Sequence, residues 1–403
     1  MATFGVVRKR SVWIQPGIKT KFDYWLLLAV CGLVVLGLLL VYSSSFEYGP
    51  SYYFKRQLIA ALIGFAGIAI VLQFDYHAFR KISVPFLLVT LAGLGIVLFA
   101  GESIFGARRG LSGGSFQPSE VAKLMTILYV SHWLSSKGER IRQLTYGLFP
   151  FAVITGIVCA FIVSQPDLST AILVALISFT LFFIAGADLK QFAFALLLGG
   201  VLFLLVANTL PHAELRMSEY IEALNDPALA GWQVQQSLVA LGKGGLFGVG
   251  LGESSQKFSR LPFAHTDAVF AILGEELGLV GGLLLVSLYG ILVWRGFKAA
   301  RAARDSYGSL IALGVSCWIG FQALLNIAVI TATIPFTGIP LPFVSYGGSS
   351  MAVTLVGVGF LLSVSRDVAI SKRPQPQVNR DVMQQRRSTR MTEFKEEVGS
   401  STP

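Results

Sequence analysis

Four charged residues at the edges of long apolar stretches are the best candidates for chemistry in this 403-residue sequence. Glu120 and Lys123 lie three residues apart just after a proline, Asp167 also follows a proline, and Asp267 ends a His-Thr-Asp segment. A carboxylate can remove a proton from a weak nucleophile, and a cation can stabilise a developing negative charge. The sequence therefore contains candidate bases and a candidate cation that the fold must bring together.

Glu120 and Lys123 share one face of a predicted helix, because residues three apart are neighbours on a helix surface. Lys123 precedes an apolar run from Leu124 to Val130. A lone charge within a membrane costs at least about 2.5 to 3.5 kcal/mol, so Lys123 is expected to face protein, water or a ligand. Two interpretations stay open: a structural ion pair between the two side chains, or a polar cavity that contacts a substrate.

Asp167 and Asp267 each precede an apolar stretch, where an Asp side chain can cap the first backbone N–H groups of a helix. Either residue can instead present its carboxylate to a solute at a membrane boundary. His265, taken alone, is expected to be solvated rather than catalytic. Glu275 and Glu276 lie within an apolar stretch, so at least one of them is expected to make a structural hydrogen bond.

The composition defines the setting of these residues. Hydrophobic residues make up 54% of the chain and charged residues only 13%, against about 25% charged residues in globular proteins. This composition excludes a soluble enzyme, a disordered protein and a nucleic-acid-binding protein, despite the net charge of +10.

Ten apolar windows have, or nearly have, the roughly 17 to 25 residues that a membrane helix needs. They cover residues 24–43, 57–74, 82–100, 118–136, 146–163, 169–186, 189–210, 267–294, 307–331 and 350–365. The predicted fold class is therefore an all-α integral membrane protein with about ten transmembrane helices. Residues 1–23 form a predicted cytoplasmic segment, 24–366 the membrane domain, and 367–403 a disordered cytoplasmic tail. Residues 211–266 form a predicted large extracytoplasmic loop.

The basic residues indicate the orientation of these spans. If the N-terminus is cytoplasmic, 23 of the 32 Lys and Arg residues lie on the cytoplasmic side and eight on the external side. Cytoplasmic loops of membrane proteins carry such an excess of Lys and Arg. Both termini are therefore predicted to be cytoplasmic, and the net charge reports topology rather than a polyanionic partner.

Two glycine-rich segments lie in predicted external connections. Gly248, Gly250 and Gly252 superficially resemble a phosphate-binding loop, but no Lys-Ser/Thr pair follows them, so chain flexibility is their expected role. The uncharged segment from Ile334 to Ser350 contains prolines and glycines that preclude a regular helix. It is predicted to be a re-entrant or interfacial loop backed by protein.

The polar groups of the sequence gather at one external face beside a large loop. A transporter more often places its charged site near the membrane midplane, in broken helices of paired repeats. The sequence has no convincing internal repeat. This pattern favours chemistry on, or binding of, a lipid-anchored polar head group, with a transporter or flippase as the rival class.

Several motifs, in order along the chain, resemble the SEDS family (shape, elongation, division and sporulation) of the FtsW and RodA type. The motifs are Phe22-Asp23, Val41 to Ser45, Gln117 to Lys123, Gln165 to Asp167, Gln236 to Leu238, His265 to Asp267, Gly274 to Gly278 and Pro340 to Ser350. The resemblance covers residues 22–367.

The resemblance implies a glycosyltransferase that joins lipid II units into glycan strands at the outer face of the bacterial cytoplasmic membrane. Its donor is a glycan linked to undecaprenol through pyrophosphate, and its acceptor is a sugar 4-hydroxyl. Asp267 matches the essential aspartate of the family, as general base or metal-assisted activator of the acceptor. Lys123, paired with Glu120, matches the polar pair expected to stabilise the leaving pyrophosphate. The remaining substrate-binding candidates are Gln117, Asp167, Arg108, Arg109, Arg216, Lys257, His265 and Ser345.

The resemblance also implies partners and a location. No tightly bound cofactor is expected, although a divalent cation, Mg²⁺ or Mn²⁺, held by Asp267 and the substrate pyrophosphate stays open. The expected partners are a class B penicillin-binding protein that supplies crosslinking and other membrane proteins of the division complex. The His-Thr-Asp and Tyr-Ser-Ser-Ser segments favour the division branch over the elongation branch, and hence the division septum. The alternatives are a lipid II flippase and a non-catalytic scaffold for the penicillin-binding protein.

Overall fold

The structure is a computed structural model, and it describes residues 23–45, 50–104, 107–110, 116–209, 211–226, 229–258, 261–262 and 264–371. Within these residues it consists of α-helices, two short helical turns and one short β-hairpin. The predicted all-α fold class is therefore confirmed. The predicted cytoplasmic N-terminal segment lies outside the described residues except for Asp23, and so does the predicted tail beyond Ser371.

The helices, numbered in chain order, are α1 (Tyr24–Ser44), α2 (Pro50–Gln73), α3 (Ala78–Ala100), α4 (Pro118–Lys137), α5 (Phe149–Val163), α6 (Leu168–Ile184), α7 (Leu189–Thr209), α8 (Pro211–Asn225), α9 (Trp232–Gly244), α10 (Val269–Ala302), α11 (Ser306–Ile330) and α12 (Gly348–Ser371). Strands β1 (Glu102–Ile104) and β2 (Ala107–Gly110) pair antiparallel between α3 and α4. The short helical turns Gly138–Arg142 and Leu144–Leu148 join α4 to α5.

Eight of the described helices are long and apolar enough to cross a membrane. The chain is thus a multi-pass membrane protein. Of the two other predicted spans, α6 is an apolar helix of 17 residues, and α4 carries Glu120 and Lys123 near its start. The total of ten spans stays a prediction.

Helix α11 lies at the centre of the fold. It packs against α4, α6, α10 and α12, and 61% of its apolar window is buried, against 6% for α7. Its start is fixed by Asp305, whose carboxylate accepts a hydrogen bond from the Gly308 N–H at 3.4 Å. A central helix can carry polar side chains that reach several elements at once, and α11 does so at its outer end.

Helix α10 is broken at Gly278, which has φ 65° and ψ −162°. A continuous helix of 34 residues would be about 51 Å long, well beyond a hydrocarbon core of about 30 Å. The break therefore separates a short outer segment from the longer membrane-crossing segment. The predicted window 267–294 runs across this break.

The glycine-rich connection after α9 satisfies the backbone at the break. The Val249 and Gly250 N–H groups donate to the carbonyls of Glu275 and Glu276 at 3.0 and 3.1 Å. In return, the Leu279 N–H donates to the Gly245 carbonyl at 3.0 Å. These bonds replace the helical bonds that Gly278 interrupts, so the glycine-rich connection fixes the outer segment of α10 in place.

Candidate functional site

Asp267 lies immediately before the outer segment of α10. The N-cap residue of this helix is Ala268, whose methyl group cannot accept a hydrogen bond, so the interpretation of Asp267 as the N-cap is wrong. The Asp267 side chain is half-buried, and its Oδ2 lies 3.2 Å from the position that a Cβ atom would take on Gly338. Gly338 has φ +68°, a conformation that glycine adopts readily. The carboxylate therefore rests against a backbone turn.

That turn belongs to the loop of residues 331–347 between α11 and α12, here called the 331–347 loop. Ser345 Oγ donates to the Thr266 carbonyl at 2.6 Å and accepts from the Leu341 N–H at 2.7 Å. The Tyr346 N–H donates to the His265 carbonyl at 2.8 Å. The loop thus holds the His-Thr-Asp segment along its length and brings the predicted site residue Ser345 beside it.

Gln57 of α2 fixes the far end of the 331–347 loop. Its Nε2 donates to the Ser345 carbonyl at 3.0 Å, and its Oε1 accepts from the Gly347 N–H at 3.1 Å. The side chain is fully buried. Gln57 therefore acts as a fixed link between α2 and the segment that contacts Thr266.

Two amide side chains on α11 hold the middle of the same loop. Gln322 Nε2 donates to the Pro340 carbonyl at 2.9 Å. Asn326 Nδ2 donates to the Ile339 carbonyl at 2.7 Å and to the Asp267 carbonyl at 2.9 Å. Asn326 therefore joins the backbone of Asp267 directly to the turn at Gly338.

Glu120 and Lys123 form the buried ion pair that their spacing predicts. Lys123 Nζ lies 2.8 Å from Glu120 Oε2 and donates to Gln322 Oε1 at 3.0 Å. It also lies 5.3 Å from the centre of the Trp318 ring, and the Lys123 residue is only 2% exposed. The ion-pair interpretation is confirmed, whereas contact between Lys123 and a substrate stays a prediction.

Asp167 caps α6. Its carboxylate accepts from the Thr170 N–H at 3.2 Å and from Thr170 Oγ1 at 2.8 Å, which confirms the capping interpretation. On the same first turn, Ser169 Oγ donates to the Thr337 carbonyl at 2.5 Å. The Gln165-Pro166-Asp167 motif therefore places α6 against the 331–347 loop, one residue from Gly338.

Lys257 belongs to a separate network of buried hydrogen bonds and ion pairs. Its Nζ donates to Ser43 Oγ at 3.1 Å and pairs with Glu276 Oε1 at 3.2 Å, with both charged side chains buried. Glu275 accepts from Ser254 Oγ at 2.5 Å and from Ser255 Oγ at 2.9 Å. The expected structural hydrogen bond of the glutamate pair is confirmed. Lys257 binds the outer segment of α10 to α1, and its contact with substrate stays a prediction.

The remaining predicted residues lie on three other elements: α8, the start of α4 and β2. The Arg216 guanidinium carbon lies 5.2 Å from the centre of the Phe336 ring, so Arg216 reaches the 331–347 loop from α8. Gln117 is the N-cap residue of α4 but makes no capping bond with its side chain. Arg108 and Arg109 lie on β2, which packs near the outer ends of α3 and α4; their side chains lie outside the described part of the chain.

His265 packs between two tyrosines. Its ring centre lies 4.8 Å from that of Tyr53 and 5.8 Å from that of Tyr346. Burial lowers the pKa of His265 below its ordinary value of 6.5, so the neutral imidazole predominates at pH 7. His265 is therefore suited to hydrogen bonding beside Asp267 rather than to supplying a permanent positive charge.

No cluster of three or more His, Cys, Asp or Glu residues suited to a metal ion occurs among the described residues. A closed protein site for a divalent cation is therefore absent from that part of the chain. Asp267 alone offers one carboxylate, and Mg²⁺ is commonly held by one or two carboxylates together with substrate phosphates. A divalent cation held by Asp267 and the substrate pyrophosphate stays a prediction.

Comparison with protein families identifies the chain. The model of the cell cycle protein family FtsW/RodA/SpoVE matches residues 21–370. The chain belongs to the FtsW/RodA/SpoVE family. The resemblance inferred from the motifs is therefore confirmed.

The chain is similar in sequence to several named members of the FtsW/RodA/SpoVE family, of which two are described here. The chain is 38% identical to the probable peptidoglycan glycosyltransferase FtsW of Trichlorobacter lovleyi, over 89% of this chain and 96% of the relative. It is 39% identical to the stage V sporulation protein E of Bacillus subtilis, over 86% of this chain and 98% of the relative.

Two solved structures share the fold. One, from a study of how a peptidoglycan synthase complex coordinates polymerisation and crosslinking, matches with a TM-score of 0.71 and 30% identity, over 86% of this chain and 98% of that one. The rod shape determining protein RodA of Thermus thermophilus matches with a TM-score of 0.65 and 29% identity, over 86% of this chain and 97% of that one.

Sequence reasoning missed three residues that build the candidate site. Gln57, Gln322 and Asn326 are buried and bind the 331–347 loop, yet none was a candidate. An available signal was the occurrence of uncharged amides inside apolar helices, because a buried amide requires hydrogen-bond partners. Such a signal indicates a polar contact without saying which segment makes it.

Proposed function

We propose that this chain is a peptidoglycan glycosyltransferase that polymerises lipid II at the outer face of the cytoplasmic membrane, with Asp267 as the general base. The names of the FtsW relatives support the reaction class. The observation that carries the assignment is the position of Asp267 Oδ2 against the turn at Gly338, held there by Asn326. A carboxylate in a fixed position can meet the hydroxyl of a lipid-linked acceptor.

In the proposed reaction, the acceptor 4-hydroxyl oxygen attacks the anomeric carbon of the donor sugar. A new carbon–oxygen bond forms, while the bond from the anomeric carbon to the pyrophosphate oxygen breaks. The Asp267 carboxylate takes the hydroxyl proton as attack proceeds. Undecaprenyl pyrophosphate leaves with the electron pair of the broken bond, and the glycan grows by one disaccharide.

Positioning is the second contribution of the protein. Gln57, Gln322 and Asn326 fix the 331–347 loop at three points through buried hydrogen bonds. Because the side chain of Asp267 rests on this loop, the loop limits the directions in which the carboxylate can move. Such preorganisation favours a near-attack geometry, in which reacting atoms lie about 3 to 3.5 Å apart.

Cations are required to stabilise the departing pyrophosphate. In the described structure Lys123 is engaged by Glu120 and Gln322, and Arg216 contacts Phe336 of the 331–347 loop. Lys123 therefore acts on the leaving group only if its pairing changes, whereas Arg216 lies beside the 331–347 loop, where it can contact the glycan. A divalent cation bound jointly by Asp267 and the pyrophosphate would supply further charge neutralisation.

The proposal extends to a partner and a location. The similar chain from a peptidoglycan synthase complex belongs to an assembly that coordinates polymerisation with crosslinking, which supports a class B penicillin-binding protein as the partner of this chain. The description of the family as cell cycle proteins and the FtsW names support a role at the division septum, together with other membrane proteins of the division complex.

The test is polymerisation of lipid II by the purified full-length protein, with and without a class B penicillin-binding protein, in the presence and absence of Mg²⁺ or Mn²⁺. Asp267→Asn is expected to lower the rate at least about 10² to 10⁴-fold, the usual contribution of a general base. The matched control is Glu253→Gln, an exposed carboxylate of the same large loop, which is expected to keep the wild-type rate.

Three other outcomes would contradict the proposal. Normal polymerisation by folded Asp267→Asn would remove the base assignment. Transfer of labelled lipid II between liposome leaflets without chain growth would identify a flippase. Growth of cells in which the Asp267→Asn variant is the only copy of this protein would favour a non-catalytic scaffold.

A further inference from the structure

A cavity of about 200 Å³ lies between α8, the start of α9 and the 331–347 loop. The lining residues that matter are Arg216, Glu219, Trp232, Gln233 and Phe336. Ligand sites typically combine apolar surface with a few convergent polar groups, and this lining has both.

The polar groups of the cavity can donate and accept hydrogen bonds in a small volume. Arg216 supplies guanidinium donors, and Glu219 supplies carboxylate acceptors directed at the start of α9, with Oε2 2.7 Å from the position of a Cβ on Gly231. Gln233 Nε2 is buried and has no hydrogen-bond partner within the described part of the chain. A nitrogen with almost no exposed surface does not face a ligand in the cavity, so the polar contacts of the cavity come from Arg216 and Glu219.

The aromatic groups of the cavity present flat apolar faces. Trp232 is 60% exposed although it is among the largest apolar side chains of the loop, and Phe336 lines the cavity from the 331–347 loop. A sugar ring has an apolar face of C–H groups and a rim of hydroxyls, so it matches aromatic faces surrounded by donors and acceptors. Arg216 and Glu219 carry opposite charges, and a neutral ligand therefore suits the cavity better than a pyrophosphate.

The cavity adjoins the position of Asp267. Phe336 precedes Gly338 by two residues, a chain distance of at most about 7 Å, and Gly338 contacts the Asp267 carboxylate. Tyr220 Oη donates to the Thr333 carbonyl at 2.7 Å, so α8 is joined to the same loop. A chain that reacts at Asp267 can therefore reach the cavity with a neighbouring unit.

We propose that this cavity is a subsite for an N-acetylated sugar ring of the glycan, next to the unit that reacts at Asp267. Trp232 and Phe336 contact the ring, and Arg216 and Glu219 bind its polar substituents. The assignment rests on the proposed function for the identity of the glycan. The subsite would bind the glycan at a second point besides the site at Asp267, and it would therefore retain a growing strand between successive additions.

The direct test measures binding of a soluble β-1,4-linked tetramer of N-acetylglucosamine to the full-length protein in detergent, by saturation-transfer NMR. Wild type and Asp267→Asn are expected to bind it alike. Trp232→Ala and Glu219→Gln are expected to weaken binding by about five- to tenfold, the loss typical of one aromatic contact or one hydrogen bond. Trp294→Ala is the matched control, because Trp294 is 61% exposed but lies on α10 beyond the break, and it is expected to bind as wild type.

A second measurement tests the role of the cavity in polymerisation. With lipid II as substrate, Trp232→Ala is expected to shorten the glycan product and raise KM more than it lowers kcat.

The outcomes separate this inference from the proposed function. Absence of saturable binding of the N-acetylated tetramer to wild type, or equal binding by wild type, Trp232→Ala and Glu219→Gln, would overturn the subsite while polymerisation still supported the proposed function. Protection of the cavity by the external domain of a penicillin-binding protein, without sugar binding, would also overturn it. Binding without any polymerisation would retain the cavity as a glycan site and remove the proposed function.

Discussion

Gln322 and Asn326 lie four residues apart on α11 and together join the two halves of the candidate site. Gln322 accepts a hydrogen bond from Lys123 at 3.0 Å, and Asn326 donates one to the Asp267 carbonyl at 2.9 Å. Both side chains also bind carbonyls of the 331–347 loop. Because residues four apart share a helix face, one turn of α11 sets the position of the ion pair relative to the carboxylate.

Asn326→Leu is expected to lower kcat for lipid II polymerisation at least about tenfold with little change in KM, because it frees the backbone of Asp267 and the adjoining turn. It also leaves the carbonyls of Asp267 and Ile339 without this donor, at a cost of about 1 to 3 kcal/mol in stability. Steady-state kinetics and thermal unfolding are the measurements. The control is Asn225→Leu, which removes an exposed amide at the end of α8. A wild-type kcat in Asn326→Leu would show that the hydrogen bonds of Asn326 do not position Asp267.

Lys123→Met is expected to lower the free energy of unfolding by about 3 to 5 kcal/mol, because it leaves the Glu120 carboxylate buried without its partner. Adding Glu120→Leu removes the unpaired charge, so the double variant is expected to regain much of this loss. Thermal unfolding in detergent would measure both changes. Lys243→Met, at an exposed position, is the control. If Lys123→Met is as stable as wild type, the ion pair between Glu120 and Lys123 is open to water or to a ligand.

Gly338→Ala is expected to reduce polymerisation far more than Gly252→Ala. Both glycines have positive φ, +68° and +85°, so alanine strains each backbone by about 1 to 3 kcal/mol. Only at Gly338 does the added Cβ meet the Asp267 carboxylate, at 3.2 Å, whereas nothing lies within 4 Å at Gly252. The kcat values of the two variants should be compared at temperatures equally far below their melting temperatures. This comparison separates the effect of the contact with Asp267 from the effect of backbone strain. Equal loss of kcat in the two variants would show that backbone strain alone is responsible.

The pH dependence of stability is expected to reflect His77, in the connection between α2 and α3. Hydrogen bonds to Asp305 and Asp75 raise the pKa of His77 from 6.5 to about 9. Burial opposes ionisation of Asp305, but hydrogen bonds from His77 and Tyr76 outweigh it and lower the pKa of Asp305 to about 2. A raised pKa in the folded state stabilises the protein fully below the unfolded value, and that stabilisation is lost as the pH rises.

Thermal stability is therefore expected to fall as the pH rises from about 6.5 to 9, the interval between the unfolded and folded pKa values of His77. The contribution of Asp305 is present above its ordinary value of 3.8 and is lost only as the pH falls towards 2. His77→Gln should remove the decline between pH 6.5 and 9. His132→Gln, whose ring binds Ser83 rather than a carboxylate, is the control. A decline that persists in His77→Gln would assign it to another group.

Local contacts were predictable because the residues that make them are close in the sequence. Asp167 precedes α6 by one residue and caps it, and Glu120 and Lys123 pair across one helical turn. The apolar windows predicted the membrane helices for the same reason, since each window contains the whole helix. The break at Gly278 was not predicted, because it depends on backbone bonds from the separate segment Gly245 to Gly250.

The fold class, the family motifs and the few charged residues beside or within the apolar stretches could all be identified from the sequence. The segments that bind these charged residues became evident only in the folded chain. Gln57 and Ser345 are 288 residues apart, and their hydrogen bond has no periodic or compositional trace. The residues before α10 left two interpretations of Asp267 open, a helix cap or a carboxylate that faces a solute, and the fold places this carboxylate against Gly338. The physical reason is that buried polar side chains must satisfy their hydrogen bonds wherever packing brings a partner, and packing is a property of the whole chain.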